Sequence, residues 1–377
     1  MASELSGKRR ALPVIRHWLF NFSVAFFPTV LLLVLIEIVF RAVLFYGDVK
    51  VLNAFKNIGQ ESHLGDGTKP VTLRQMIQHS NNPRIIYELI PDISVLFMNK
   101  PVTINSHGFR GPEYNAIKGD KTIRIVGLGD SLMFGWGVGD DEHYLALVSQ
   151  HLNQSSPNGY MWEIINTAVP GYNTAMEVET LKVRGLQHNP DLVIIGFIGN
   201  DLSLPNFIRK KENYLSLRRS FVAEYFLSQL SQQRRHLHDG FIDSPLNASG
   251  DDVEKDPSRV PVQYKDMVGP DAYRSAMAEL KALSLRYNFQ VVAFTTYFPA
   301  FVEEILRDLD VPILEAGDAF SVYMSEHGIK AYEGSPLTVS KRDPHPSALG
   351  HTILADVLYN HIKNSGVQSR IFQRRGW

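Results

Sequence analysis

Four short polar clusters in this sequence combine residue types that can do acyl chemistry. Asp130-Ser131-Leu132 follows directly on the apolar run IRIVGLG. A serine just past a buried strand is held at the sheet edge, where a base within reach would make its hydroxyl a nucleophile. Such a base is offered by Asp343-Pro344-His345-Pro346. Each of Asp343 and His345 precedes a proline, which biases both toward extended backbone. In an extended chain, residues two apart face the same side. A carboxylate and an imidazole are then shown together, the pairing that orients a general base. AVPGYNT contributes Gly171, whose backbone N–H can approach a ligand closely, and IGND presents Asn200 and Asp201.

Each cluster also has a purely structural reading. Ser131 could cap the helix that follows, Gly171 could be a turn glycine, and Asn200 could satisfy loop backbone. Asp130 is expected to anchor the loop by hydrogen bonds. His351, one to two turns beyond His345 on the last helix, is expected to be a surface or packing histidine, and His107 a turn residue before Gly108. The histidines show no H-E-x-x-H spacing, so neither a metal nor a cofactor is expected. The chain has no cysteine, which excludes disulfides, thiolate metal sites and a cysteine nucleophile.

The elements that must carry these clusters follow from the hydrophobic pattern. Strand-like runs fall at Ile123–Leu128, Glu163–Val169, Asp191–Ile198 and Gln290–Tyr297, with a weaker one at Val311–Leu314. Helical stretches lie between them at Tyr144–Asn153, Ala175–Gln187, Asp271–Tyr287 and Ala300–Leu309, and Ala348–Lys363 closes the series. Short, fully apolar strands alternating with helices predict an α/β fold, a three-layer α/β/α sandwich around a parallel sheet of about five strands. In such a sheet ligands gather at the carboxyl ends of the strands, where Ser131, Gly171 and Asn200 fall. The insert at 202–267 holds an aromatic, basic portion and then an acidic one. Its length suits a lid or a binding loop, and its arginines could meet lipid headgroups or simply face solvent.

Trp18 to Ile36 is a run of 19 residues without a charge, long enough for one transmembrane helix. Glu37 and Arg41 follow at i, i+4, where they can pair. Pro28 is expected to kink this helix without ending it. Lys8, Arg9, Arg10 and Arg16 precede the run, so the positive-inside rule puts the N-terminus in the cytoplasm and the bulk of the chain across the membrane, in the periplasm or outside the cell. The run ends in AVLFYGD rather than a small-residue cleavage site, which favours an uncleaved anchor over a signal peptide. The expected layout is a cytoplasmic tail at 1–16, a transmembrane helix at 17–46, a juxtamembrane extension at 47–118, a main domain at 119–364 and a flexible C-terminal tail at 365–377. A formal net charge of -1 gives no overall basic field, so nucleic acid is not an expected partner.

Four blocks also carry a family resemblance. Gly129-Asp130-Ser131-Leu132, NTAVPGYNT (Asn166 to Thr174), Gly199-Asn200-Asp201 and DPHPSALGH resemble, in order and spacing, the motifs of the SGNH/GDSL hydrolases over residues 122–364. Asn105-Ser106-His107-Gly108-Phe109-Arg110-Gly111 resembles a stretch preceding the first block in membrane-anchored bacterial members. Two departures stand out. Ile198 occupies the usual first glycine of the asparagine block, and one residue rather than two separates Asp343 from His345. The resemblance implies a flavodoxin-like fold and a serine esterase. In it Ser131 is the nucleophile, His345 the base and Asp343 its orienting partner. Gly171 and Asn200, with the Ser131 N–H, form the oxyanion site. The implied substrate is an acyl ester, acetyl included, of an envelope glycan or lipid. The alternatives are an O-acyltransferase using the same site and a non-catalytic membrane subunit that reuses the fold.

Overall fold

The computed structural model describes residues 4–46, 70–156, 159–208, 220, 222–223, 242–243 and 257–376. The chain divides into two compact units, Met1–Lys56 with Arg209–Phe241, and Asn57–Ile208 with Ile242–Trp377.

In the first unit, helix α1 runs from Glu4 to Tyr46. Within it Asn21–Ala42 is a 22-residue stretch of mean hydropathy 2.5, long and apolar enough to cross a membrane. The helix continues through Pro28. Directly after the proline, the hydroxyl of Thr29 donates to the carbonyl of Ala25 at 2.7 Å. Glu37 and Arg41 pair at 2.6 Å, which lowers the cost of both charges at this end of the apolar stretch.

The second unit is built on five parallel strands: β1 (Thr122–Leu128), β2 (Met161–Asn166), β3 (Leu192–Gly196), β4 (Gln290–Thr295) and β5 (Ile313–Glu315). Their order across the sheet is β5-β4-β3-β1-β2. Every residue of β1 is buried, as expected for a central strand covered on both faces. Helices α2 (Tyr144–Gln154), α3 (Thr174–Thr180), α4 (Pro270–Tyr287), α5 (Ala300–Asp308), α6 (Gly317–Glu326) and α7 (Ala348–Asn364) complete the sandwich. α2 packs on α7 and α3 on α4. The α3/α4 layer buries Val178, Met277 and Leu280 against Val126, Val193 and Ala293 of the sheet. Burial on this scale contributes roughly 25 cal/mol per Å² of apolar surface, enough to dominate the fold's stability.

The structure departs from the sequence reading in four places. β2 stops at Asn166, and the residues through Asn173 form the loop ahead of α3. α3 leaves regular α geometry after Thr180, passing through a π-turn (Leu181–Gly185) and a short 3-10 turn (Leu186–His188). α6 has no counterpart among the expected helices. The C-terminal residues are not a flexible tail: Val367–Arg375 form a helix with Val367 and Ile371 buried. Arg374 donates to the carbonyls of Asn288 (2.7 Å) and Asp191 (3.0 Å), and Arg375 to that of Thr122 (2.9 Å).

Of the expected extension, residues 47–69 lie outside the described residues. The remainder is a three-stranded sheet, with Ile93–Phe97 between Pro70–Val71 and Lys100–Ile104, and a hairpin pairing Ile77–His79 with Tyr87–Leu89. Most of the insert, including its basic, aromatic and acidic portions, also lies outside the described residues. Its last part packs into the second unit, with Val260, Tyr264 and Met267 buried.

Candidate active site

Strand order makes the crevice. From β1 the chain goes out to β2 at one edge, then returns past β1 to β3 on the other side. Loops leaving the carboxyl ends of β1 and β3 therefore diverge and leave a gap, the switch point where open α/β sheets bind ligands. Ser131 follows β1 and Asn200 follows β3.

Ser131 opens a one-turn helix, Ser131–Phe134, capped by Asp130, whose Oδ1 accepts the Leu132 N–H at 3.0 Å. The turn closes at Gly135 with φ of 91°, a conformation open mainly to glycine. A Cβ there would also lie 2.6 Å from His143 Cβ and 2.8 Å from Arg110 Nη1. His345 comes from a short strand, Asp343–Pro346, paired with Thr338–Ser340. Its Nε2 stands 2.8 Å from Ser131 Oγ. Its Nδ1 stands 2.6 Å from Asp343 Oδ1, which also accepts the His345 backbone N–H at 3.1 Å. The same-side geometry of residues two apart delivers the pair despite the single intervening residue.

Asp343 is held by three donors. Burial opposes its charge, but the two His345 bonds and the Trp136 indole N–H (2.9 Å to Oδ2) keep its carboxyl below the usual range. Trp136 also stacks on the His345 ring, with centroids 5.3 Å apart and planes 25° from parallel. Sequence reasoning missed this residue. It stands five positions beyond Ser131, yet its partners lie more than 200 residues away, and no local pattern marks it.

Asp130 takes the role of anchor. Besides the Leu132 N–H, its carboxylate accepts the Asn200 side-chain amide at 3.0 Å, and its Oδ2 lies 3.2 Å from Ser131 Oγ. Burial raises its pKa against these bonds. One Asn200 N–H is committed to Asp130, and the amide nitrogen carries a second hydrogen for another acceptor. The Asn200 turn is fixed from behind by Asp201, which accepts the Ile198 N–H (2.6 Å) and the Thr174 hydroxyl (2.9 Å). Glu177, 1 % exposed, buries its carboxyl beside that of Asp201. Burial, then the charges of Asp201 and Asp130, push its pKa well up.

Gly171 lies on the loop after β2, with φ of 80°. A Cβ at this position would fall 2.3 Å from Asn206 Cγ, so close approach and positive φ both demand glycine. Its carbonyl accepts the Asn206 N–H at 3.1 Å. The loop is pinned by Asn173, whose amide donates to the carbonyls of Ser203 and Met267, each at 2.9 Å. Tyr87 adds a hydroxyl bond to the Pro170 carbonyl at 3.0 Å.

Arg110, from the Asn105–Gly111 stretch, is the second residue that sequence reasoning missed. Its buried guanidinium donates to the carbonyls of Phe134, Gly135 and Val138, each at 2.7 Å, and to Asp140 Oδ1 at 3.3 Å. Burial lowers its pKa to about 10, which leaves it charged at neutral pH. It thereby holds the turn that carries Ser131 and Trp136. The repeated glycines flanking Phe109-Arg110 were the available signal.

His351 and His107 lie outside this arrangement. His351 is fully buried on α7, where its Nδ1 accepts the Tyr144 N–H at 3.3 Å. His107 stacks on Tyr114 with centroids 4.6 Å apart. Among the described residues no group of three His, Asp or Glu side chains is arranged to hold a metal.

A hydroxyl, an imidazole and a carboxylate in series, beside a fixed amide, can perform acyl transfer. No curated protein matches the chain. Among solved structures it is similar to TesA (12% identity, covering 64% of this chain and 98% of that one, TM-score 0.37). It is also similar to a variant of Axe2, an acetyl xylan esterase from Geobacillus stearothermophilus (15%, 66% and 97%, 0.38). A third is the lipase/acylhydrolase from Enterococcus faecalis (16%, 64% and 96%, 0.37). Identity this low carries nothing about substrate. The profile of the GDSL-like lipase/acylhydrolase family matches residues 128–353, from the end of β1 into α7. The chain belongs to that family of SGNH/GDSL hydrolases, enzymes that act on ester bonds.

Proposed function

We propose that this protein is a membrane-anchored serine esterase that removes acyl groups, acetyl included, from a glycan or lipid of the cell envelope. The observation that carries the reading is the unbroken series Ser131 Oγ, His345 Nε2, His345 Nδ1 and Asp343 Oδ1, with separations of 2.8 and 2.6 Å. Ser131 attacks the acyl carbonyl while His345 Nε2 takes its proton, and Asp343 stabilises the imidazolium that forms. The tetrahedral oxyanion is met by the Ser131 and Gly171 N–H groups and by the second Asn200 amide hydrogen. A single donor of this kind is typically worth about 10²–10³ in turnover. As the intermediate collapses, the carbon–oxygen bond to the alcohol breaks and His345 returns the proton to the leaving oxygen. Water then attacks the acyl-enzyme with the same histidine as base, and the free acid departs.

The anchor is α1. Its 22-residue apolar stretch and the preceding Lys8, Arg9, Arg10 and Arg16 support an N-terminus in the cytoplasm and a catalytic unit on the far side. The purified full-length chain should react with a fluorophosphonate probe and cleave a short-chain aryl ester. Ser131→Ala should abolish both. Equal turnover by the two proteins would end the esterase reading. Labelling together with turnover that appears only when a sugar alcohol is supplied would identify a transferase.

A further inference from the structure

We propose that Asn173, together with Thr174, sets the distance between two oxyanion donors, the Gly171 N–H and the Asn200 amide, and so acts as a positioning residue for ester cleavage. The proposal rests on the reading of Gly171 and Asn200 as oxyanion donors, and names what holds the two in register.

The first observation is topological. Gly171 follows β2 and Asn200 follows β3, and β1 lies between these strands in the sheet. Strands two places apart stand about 10 Å from each other and share no ladder bond that could fix one loop against the other. The β1 loop is tied to each neighbour separately. The Val169 N–H donates to the Gly129 carbonyl at 3.1 Å, and the Asn200 amide to Asp130 at 3.0 Å. The third side of the triangle is closed at the start of α3. Asn173 Nδ2 donates to the Ser203 carbonyl at 2.9 Å, and the Thr174 hydroxyl to Asp201 Oδ1 at 2.9 Å. A backbone bond from the Asn206 N–H to the Gly171 carbonyl, at 3.1 Å, joins them. Asn173 stands two residues beyond Gly171, and Asp201 is next to Asn200, so the ties act close to the donors they hold.

The second observation is the chemistry of the carboxamide. Asn173 is the N-cap of α3, and its Oδ1 accepts the Met176 N–H at 3.1 Å. Capping alone calls for an oxygen, which Ser or Asp supplies equally well. Asparagine brings two amide hydrogens besides. Both are spent outside the helix, on the carbonyls of Ser203 and Met267, each at 2.9 Å. The Gly269 N–H reaches the Leu202 carbonyl at 2.8 Å, so the long connection leaves and re-enters the unit beside this one side chain. Asn173, Thr174 and Ser203 are all buried, and hydrogen bonds out of contact with water are electrostatically stronger than exposed ones. Asn173 itself touches no reacting atom; its effect passes through the loops it joins.

Two variants of the full-length protein, in detergent micelles, test the proposal. Asn173→Ser keeps the helix cap and removes both outward donors. Thr174→Val keeps the side-chain shape and removes the hydroxyl. Each is measured for melting temperature, for kcat and KM on a short-chain aryl ester, and for inhibition by phenylboronic acid. Boron takes the Ser131 oxygen and becomes a tetrahedral anion, so its affinity reports contacts to the oxyanion rather than to the ground state. Asn173→Ser should lower kcat about 10- to 100-fold, hold KM within about twofold, and weaken the boronic acid by a factor similar to that in kcat. Thr174→Val should show the same pattern at about tenfold or less. A lower melting temperature with kcat and boronic-acid affinity unmoved overturns the proposal, because Asn173 is then scaffold alone. A loss of kcat with boronic-acid affinity unmoved overturns it as well. Should Asn173→Ser fail to fold, Thr174→Val decides by the same readings, and failure of both to fold assigns the pair a purely structural role. A parent protein inert toward ester and boronic acid overturns the oxyanion reading and this one with it. An active parent with unaltered variants overturns this one only.

Discussion

Ser131 has one proton and two acceptors within reach. His345 Nε2 lies at 2.8 Å and Asp130 Oδ2 at 3.2 Å. The shorter contact leads to His345, and Asp130 is already occupied by the Leu132 N–H and the Asn200 amide. The same economy governs Asp343, whose two oxygens are filled by His345 on one side and the Trp136 indole on the other. Trp136→Phe removes the indole donor while keeping an aromatic ring against His345. With one donor lost, Asp343 becomes more basic and grips the imidazolium more strongly. The Asp343 carboxyl then holds its proton to higher pH. The acid limb of the kcat/KM profile should move upward, with a loss of about tenfold or less at the optimum. An unmoved acid limb in a folded variant would show that the indole bond does not tune the dyad.

At the scale of elements, the α2/α7 contact is sensitive to acid. His351 on α7 is buried against Tyr144 at the start of α2, and its Nε2 has no partner among the described residues. Burial first, then the positive charges of Arg110 and His345, lower its pKa to about 3. The folded state therefore refuses a proton that the unfolded chain accepts near pH 6.5. The unfolded state binds more protons between these values, so stability is full above about pH 6.5 and is lost as pH falls toward 3. His351→Asn keeps an acceptor for the Tyr144 N–H and removes the titration. Its melting temperature should depend less steeply on pH between about 6.5 and 4 than that of the parent. Parallel curves would assign the acid sensitivity elsewhere. Arg110 works at the same scale: one guanidinium joins the Asn105–Gly111 stretch to the turn that carries Ser131. Leaving its three carbonyls unpaired would cost about 1–3 kcal/mol each.

At the scale of the whole catalytic unit, chemistry and stability are kept at opposite ends of the sheet. The site occupies the carboxyl ends of β1 and β3. The C-terminal helix closes the amino ends, where Arg374 and Arg375 bond the carbonyls of Asn288, Asp191 and Thr122. Removing residues 366–377 uncovers the pocket filled by Val367 and Ile371, for a loss on the order of 3 kcal/mol. That should lower the melting temperature by about 5–10 °C while leaving kcat at low temperature unchanged. A truncation without effect on melting would restore the picture of a loose tail.

Local pattern was enough for the sheet, most of its helices and the residue types of the site. Strand runs and helical periodicity are short-range properties, and each of the four motif blocks is contiguous, so Ser131, Gly171, Asn200, Asp343 and His345 could all be singled out from neighbours alone. The α-to-π change after Thr180 and the docked C-terminal helix escaped because tertiary packing, not local propensity, sets them. The indole on Asp343 and the guanidinium under the Ser131 turn escaped for the same reason, since each joins residues far apart in the chain. By itself the sequence determined which side chains could do the chemistry. Only the closure of β1, β3 and the last strand around one crevice decided which of them touch, because distances across a fold depend on every element that separates them.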